Sequence, residues 1–241
     1  MKKLIGIVPR GVLFDMEASN MSDKYELGNN YIKRVTEAGC IPIGLAPVDG
    51  WISEDVLEAV DGFIVQGGST MWPYHFQIIH HAVTHGKRYL GICMGMQLIH
   101  CYFSLRKMVE DRGWEGNLIE QMYELFHDQE KEYELIERVE GHYSKIATRG
   151  KEDEVKHGVI IVPDTMLHRL MNRDCMRGAT YHKWRVHDLV ECLTTNARAE
   201  DGTVEGIEYG DNILGVQFHP EVDDLLPEIF DFLSGANNTQ T

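Results

Sequence analysis

The chain has 241 residues, 43% of them hydrophobic and 25% charged, enough for one sizeable α/β domain or two small ones with a packed core. Its net charge of −15 argues against a broad nucleic-acid surface or an anionic membrane as partner. No apolar run approaches the roughly 20 residues of a membrane span, and the five cysteines are scattered without a Cys-x-x-Cys pair, as expected of free thiols in a reducing cytoplasm.

The opening Lys2-Lys3-Leu4-Ile5-Gly6-Ile7-Val8-Pro9 is too short for a secretory segment and predicts a buried strand at 5–8. Tyr31, Ile32 and Val35 share one face of a helix that Gly39 ends, and 41–45 is the next strand. Ser53 reads as the N-cap of a helix with Val56, Leu57 and Val60 inward. A strand at 63–65 leads into Gln66-Gly67-Gly68-Ser69, and a helix through Ile78, Ile79, Ala82 and Val83 ends near Gly86. The strand before Cys93 follows. Such alternation predicts a single doubly wound, mostly parallel sheet with helices on both faces. Ligands of such sheets bind beyond the carboxyl ends of the strands.

Residues 107–157 break the rhythm. Nine acidic residues stand against two basic ones between Glu115 and Glu140, while Leu118, Met122, Leu125 and Phe126 keep helical spacing. One or two helices inserted as a cap, or a solvated acidic helix, are expected within one domain spanning 1–241. The sheet resumes at 159–162, followed by a short helical face of Met166, Leu167, Leu170 and Met171. Residues 203–208 alternate as a half-exposed strand, and 213–218 form the strand before His219. Leu225, Leu226, Ile229, Phe230 and Leu233 make a closing helix, and a polar tail follows Gly235.

Cys93 sits where a short strand, Tyr89-Leu90-Gly91-Ile92, turns at once into a helix pattern, Met94-Gly95-Met96-Gln97. A glycine-flanked cysteine at that turn is presented as a nucleophile, and the helix N-terminus favours thiolate. It needs a partner that takes and returns a proton. His219, after another strand, is the candidate, and Glu221 lies two residues on, where an extended segment points the same way. The intermediate's oxyanion needs backbone donors, for which the Met94 amide and the Gly67-Gly68 turn, through Gly68, are the candidates.

Other features have plainer readings. His75, His80, His81 and His85 read as surface histidines, although His81 and His85 have the spacing of a metal pair on one helix face. Cys101 reads as core. Trp72, Tyr74 and Phe76 either pack the Gly-Gly loop or line the amine side of the pocket.

Gly91-Ile92-Cys93-Met94-Gly95-Met96-Gln97, Gly67-Gly68 upstream and Gly215-Val216-Gln217-Phe218-His219-Pro220-Glu221 downstream resemble the class I glutamine amidotransferase superfamily. Gly6-Ile7-Val8-Pro9, Ala38-Gly39-Cys40-Ile41-Pro42, His157-Gly158-Val159-Ile160-Ile161, Thr180-Tyr181-His182-Lys183 and Asp201-Gly202-Thr203-Val204-Glu205-Gly206-Ile207-Glu208 are most similar to its γ-glutamyl-γ-aminobutyrate hydrolase branch. The resemblance implies a flavodoxin-like fold, with Cys93 as nucleophile, His219 as base, Glu221 as its orienting acid, and Gly68 and Met94 as oxyanion hole. It places Gln97, Gly67 and His182 at the substrate. It implies no metal and no organic cofactor. The chain departs from the branch at Met94, where Arg is common, at Gln66, where Pro is usual, at Thr70, where Asp is usual, and at Lys183-Trp184 after the first histidine of a His-His-Gln block.

The leading expectation is a cytoplasmic hydrolase of small-molecule γ-glutamyl amides acting through a thioester on Cys93. The alternatives are a glutaminase subunit delivering ammonia to a separate synthetase and a non-catalytic γ-glutamyl-binding module. Nothing in the sequence reads as a synthetase domain. A homodimer is compatible with the hydrolase reading, a synthetase partner with the glutaminase one.

Overall fold

The computed structural model describes residues 1–12, 24–127, 135–143, 155–223 and 226–235. The chain opens with β1 (Leu4–Val8), a hairpin of β2 (Arg10–Val12) and β3 (Lys24–Glu26), then α1 (Asn29–Glu37) and β4 (Ile41–Gly44). Next come α2 (Glu54–Ala59), β5 (Gly62–Val65), α3 (Pro73–His85), β6 (Arg88–Ile92), α4 (Met94–Arg112) and α5 (Leu118–His127). The second half holds β7 (Ile136–Arg138), β8 (Lys156–Ile161), α6 (Met166–Met171), β9 (Cys175–Ala179) and β10 (Trp184–Val186). It closes with β11 (Thr194–Ala199), β12 (Val204–Tyr209), β13 (Ile213–Val216), a 3-10 turn at Pro220–Val222 and α7 (Glu228–Ser234). No helix among the described residues is long and apolar enough to cross a membrane.

The central sheet has nine strands in the order β4-β1-β5-β6-β13-β12-β11-β8-β9. The five strands from β4 to β13 pair in parallel, and β12, β11, β8 and β9 extend them antiparallel. Apolar side chains are buried on both faces. One core packs the sheet against α2, α3, α4 and α5, and the other against α1, α6 and α7. The mostly parallel, doubly wound sheet read from the alternating runs is therefore present, lengthened by strands at 175–179 and 194–199 that the sequence reading lacks.

Two expectations about exposure are corrected. Val56 points to solvent at 40% exposure, and α2 packs through Leu57 alone, because a helix of six residues presents too narrow a face for both. The 203–208 strand is not half-exposed: Glu205 and Glu208 are buried. Glu208 accepts from the Met166 and Leu167 amides at the start of α6 and from Asn196 Nδ2, so its charge serves as the N-terminal counterion of that helix.

The acidic stretch contributes α5, whose Ile119, Met122, Leu125 and Phe126 are buried against α3 and α4. The Phe126 and Phe76 rings lie 5.6 Å apart. Residues 128–134 and 144–154 of the expected cap, Leu225 of the closing helix and the tail 236–241 lie outside the described residues.

Glycines set how closely α4 follows the sheet. A Cβ on Gly95 would stand 2.5 Å from the Val65 carbonyl oxygen, and one on Gly91 would collide with the Gly95 carbonyl. The turn after β6 thus closes only with glycine at both positions. Gly95→Ala is expected to lower the unfolding free energy by about 1–3 kcal/mol, measured by chemical denaturation. Unchanged stability would mean that α4 can move off β5 freely.

Candidate active site

Register brings the site together. Val8 pairs with Val65, Val65 with Gly91 and Val216 with Ile92, so β1, β5, β6 and β13 end at one level. Just past those ends lie Gly67, Cys93 and His219. The Cys93 amide donates to the Val216 carbonyl at 2.8 Å, and the His219 amide donates to Ala179 at 2.9 Å. The second bond shows that β9, the far edge of the sheet, curls back to the site.

Cys93 has φ 54° and ψ −105°, a conformation that costs a non-glycine residue on the order of 1–3 kcal/mol. It is enforced by the steric closure at Gly91 and Gly95, and it lifts the cysteine out of the strand at the head of α4. Met94 is the first residue of that helix, so its N–H has no partner four residues back. A Cβ on Gly67 would stand 2.8 Å from His219 Cε1 and 3.4 Å from Cys93 Cβ, so the Gly67 backbone lies directly against the cysteine and the histidine. Gly68 rests on the Met94 thioether.

His219 Nδ1 is 2.7 Å from Glu221 Oε1, which fixes Nδ1 as the protonated donor to a carboxylate. Nε2 is buried, without a hydrogen-bond partner among the described residues, and Cys93 lies beside it. Burial disfavours the imidazolium, but the Glu221 charge and the neighbouring cysteine outweigh it and hold the His219 pKa well above the ordinary imidazole value. That charge contributes stability present at and below the ordinary imidazole range and lost as pH rises through the elevated value.

The sequence reading treats Tyr31 only as an inward helix residue, yet it is central. Its hydroxyl donates to Glu221 Oε1 at 2.8 Å and accepts from the Gly67 amide at 3.1 Å. Burial first, then Glu221, pushes the Tyr31 pKa well above its usual value, so it remains a donor. Arg34, one turn along α1, donates to the Glu221 carbonyl at 3.3 Å. A buried tyrosine needs a hydroxyl partner, and that requirement was the signal available in the sequence. Gln66, where the branch has proline, cross-links the Gly28 amide and the Val8 and Glu26 carbonyls.

Cys93, His219 and Glu221 line a cleft of about 520 Å3 with Gly67, Gly68, Tyr31, Ser69, Thr70, Arg10, Gly11, Glu26, Tyr143 and Tyr181. Two residues expected at the substrate are not among these walls. Gln97 is buried and donates to the Trp184 carbonyl and Gln217 Oε1, because one helical turn beyond Cys93 its side chain reaches β10 and the residue after β13. His182 is buried in a polar cluster behind the cleft. Tyr74 and Phe76 are core, and Trp72 packs against Gly11. His75 and His81 are buried rather than superficial, and the carboxylates of Glu54 and Glu58 on α2 approach His81.

The family model for glutamine amidotransferase class-I matches residues 21–224. Over 239 residues the chain is 28% identical to a glutamine amidotransferase-like protein of Rickettsia prowazekii, covering 82% of this chain and 83% of that one. It is 26% identical over 170 residues to the CTP synthase of Halobacterium salinarum, covering 67% of this chain but 29% of the synthase. Among solved structures, the Trypanosoma brucei CTPS glutaminase domain with bound acivicin superposes with TM-score 0.64 at 15% identity, covering 96% of this chain and 92% of that domain. A GMP synthase protein from Thermoplasma acidophilum gives 0.56 at 16% identity, with 98% of this chain and 94% of that one covered. At these identities the superpositions speak to fold alone.

Glu221→Gln removes the charge that holds His219 protonated while keeping a hydrogen-bond acceptor. The NMR titration midpoint of His219 is expected to fall in this variant, because burial then dominates. A midpoint that stays where it was would remove Glu221 as its cause.

Proposed function

The chain belongs to the class I glutamine amidotransferase family, and from that premise we propose that it hydrolyses γ-glutamyl amides through a thioester on Cys93. The observation that carries this reading is the convergence of Cys93, His219 and Glu221 at one end of the sheet, with His219 Nδ1 held by Glu221 and Nε2 left toward the cysteine. The thiolate attacks the γ-carbonyl carbon, and the carbonyl oxygen takes the negative charge. The Met94 and Gly68 amides are the donors for that oxyanion. His219 Nε2 passes its proton to the leaving nitrogen as the carbon–nitrogen bond breaks, and a γ-glutamyl thioester remains. Water then gives a proton to Nε2 and attacks the thioester, releasing glutamate and restoring the thiolate. Glu221 keeps the imidazole in one tautomer throughout.

Recognition of the glutamyl end follows from charge. Arg10 and Glu26 pair at 3.2 Å on the cleft wall, a cation and an anion suited to the carboxylate and ammonium of an α-amino acid. Arg10 Cδ lies 3.6 Å from the Cβ position of Gly68, beside the loop that carries the oxyanion donor. In this reading Arg10 supplies the guanidinium that branch members carry after the nucleophile, where this chain has buried Met94. The aromatic rings of Tyr143 and Tyr181 face the leaving amine, with Tyr181 5.3 Å from His219, centroid to centroid.

A second reading, a glutaminase that passes ammonia to a separate synthetase, draws on the 26% identity to a CTP synthase, of which the chain covers 29%. Turnover of the purified protein on a panel of γ-glutamyl amides, glutamine included, separates the two. Release of one amine in preference to ammonia from glutamine is expected. Silence on every amide, with activity appearing on glutamine only when a synthetase is added, would favour the second reading, and γ-glutamyl binding without any turnover would reduce the site to a binding module. Cys93→Ala is expected to abolish turnover, and His219→Ala to lower it by about 100- to 10,000-fold. Full activity in Cys93→Ala would end the thioester mechanism.

Arg10→Ala is expected to raise KM by about 10- to 100-fold, the loss of one charge-assisted hydrogen bond, with kcat nearly unchanged. A fall in kcat at constant KM would instead assign Arg10 to the transition state.

A further inference from the structure

Behind the wall made by Tyr143 and Tyr181, three histidines from separate segments converge on one carboxylate. Glu205 of β12 is fully buried. His142 Nδ1 lies 3.1 Å from Glu205 Oε1, His182 Nε2 lies 3.2 Å from the same oxygen, and the two nitrogens are 3.2 Å apart. These three atoms form a nearly equilateral triangle. His157 Nε2 approaches the other oxygen, Oε2, at 3.5 Å, and both of those atoms are buried without a hydrogen-bond partner among the described residues.

The outer ring nitrogens fix the chemistry of the inner ones. His182 Nδ1 is 3.0 Å from the Trp184 carbonyl, which can only accept, so Nδ1 carries hydrogen and a neutral ring presents a bare Nε2 inward. His142 Nε2 is 3.0 Å from Asp201 Oδ2, so by the same logic its neutral ring presents a bare Nδ1 inward. The triangle is then three lone-pair acceptors at hydrogen-bond distance with no donor between them. A positive species has to fill that space, either an extra proton or a metal ion.

The dimensions fit a metal ion. Zinc bonded tetrahedrally to nitrogen and oxygen at about 2.0–2.1 Å has ligand–ligand edges of about 3.3–3.5 Å. The His142–His182–Glu205 triangle has edges of 3.1–3.2 Å, and His157 Nε2 stands 3.5 Å from the second carboxylate oxygen. The outer partners, a carboxylate on one histidine and a backbone carbonyl on another, are the groups that orient metal-bound imidazoles. We propose that His142, His157, His182 and Glu205 form a site for one divalent transition-metal ion, of zinc-like chemistry, that ties the segment after β7, strand β8 and the segment before β10 to β12. Four protein ligands leave no open position, so the ion is structural. It holds the cleft indirectly: Tyr143 and Tyr181 follow and precede ligands by one residue, they bridge to each other, and the His142 carbonyl accepts from Thr180 Oγ1 and the His182 amide.

The test uses the full chain in a Cys93→Ala background, so that the active-site thiol cannot hold the ion. Protein incubated with zinc chloride and dialysed is expected to retain about one equivalent of zinc by mass spectrometry. Its Tm should fall on chelation and recover with added zinc, and cobalt chloride should give the visible absorption of tetrahedral cobalt(II). Glu205→Gln and His157→Asn, the second at a partly exposed position that the fold tolerates more readily, should each lose the cobalt spectrum. Wild-type ligands that retain no zinc, with a Tm indifferent to zinc and chelator, would mean that a proton fills the triangle and would overturn the proposal. So would zinc retained equally by both variants, which would locate the ion elsewhere, for instance at Glu58, His81 and His85.

Discussion

The carboxylate of Glu221 is the junction on which the site depends. One of its oxygens receives His219 Nδ1 and the Tyr31 hydroxyl, the Tyr31 oxygen in turn receives the Gly67 amide, and the Glu221 carbonyl receives Arg34. Three elements separated widely in sequence, α1, the turn after β5 and the segment after β13, are thus fixed to one buried charge. Hydrogen bonds to a charged group contribute about 1.5–3 kcal/mol each, and a buried carboxylate stripped of them costs several. Moving the histidine, the tyrosine or the glycine loop alone would leave charge or donor unpaired, so the three move together or not at all.

Much of this was legible in the sequence because the parallel half of the sheet writes its period plainly. Buried strands appear as short apolar runs, and the residues just past them converge by register, which is why Cys93, His219 and Gly67 could be brought to one edge from spacing alone. The antiparallel half is harder to read. Strands β9 and β11 carry Arg177, Thr194, Asn196 and Arg198 among small residues, so neither shows a clear alternation. Glu205 and Glu208 read locally as exposed strand residues, whereas both are buried and approached by groups from distant segments. Polar residues that are buried because their partners arrive from elsewhere cannot be told from exposed ones by local pattern. Gln97 and His182 lie outside the cleft walls for the same reason, since a motif position fixes where the backbone runs and not which partner the side chain finds.

The two halves divide the labour of the cleft. The parallel strands deliver Cys93, His219 and the glycine loop, whereas the antiparallel extension curls back to supply Tyr181 and an anchor for the His219 amide through Ala179. Tyr143 comes from the segment after β7, tied to Tyr181 by a bridge. In the proposed reaction the chemistry would rest on the centre of the sheet, and selectivity toward the amine on its periphery. Helix α5 carries only Glu120 and Glu124 of the acidic residues of its region, and it packs on α3 and α4 through its apolar face.

The backbone at Cys93 has a consequence for how such a protein ages in evolution. Its positive φ is tolerable to a cysteine only because neighbouring glycines and strands impose it, and glycine itself would occupy the same geometry with less strain. Under the proposed mechanism the nucleophile therefore sits at a position where the fold gains stability by losing the reaction. Without selection for turnover, drift toward glycine at this one residue would leave the sheet, the cleft and the Glu221 junction standing. The outcome would be a sturdier, inert descendant, identical in outline to its parent and recognisable only by one missing sulfur.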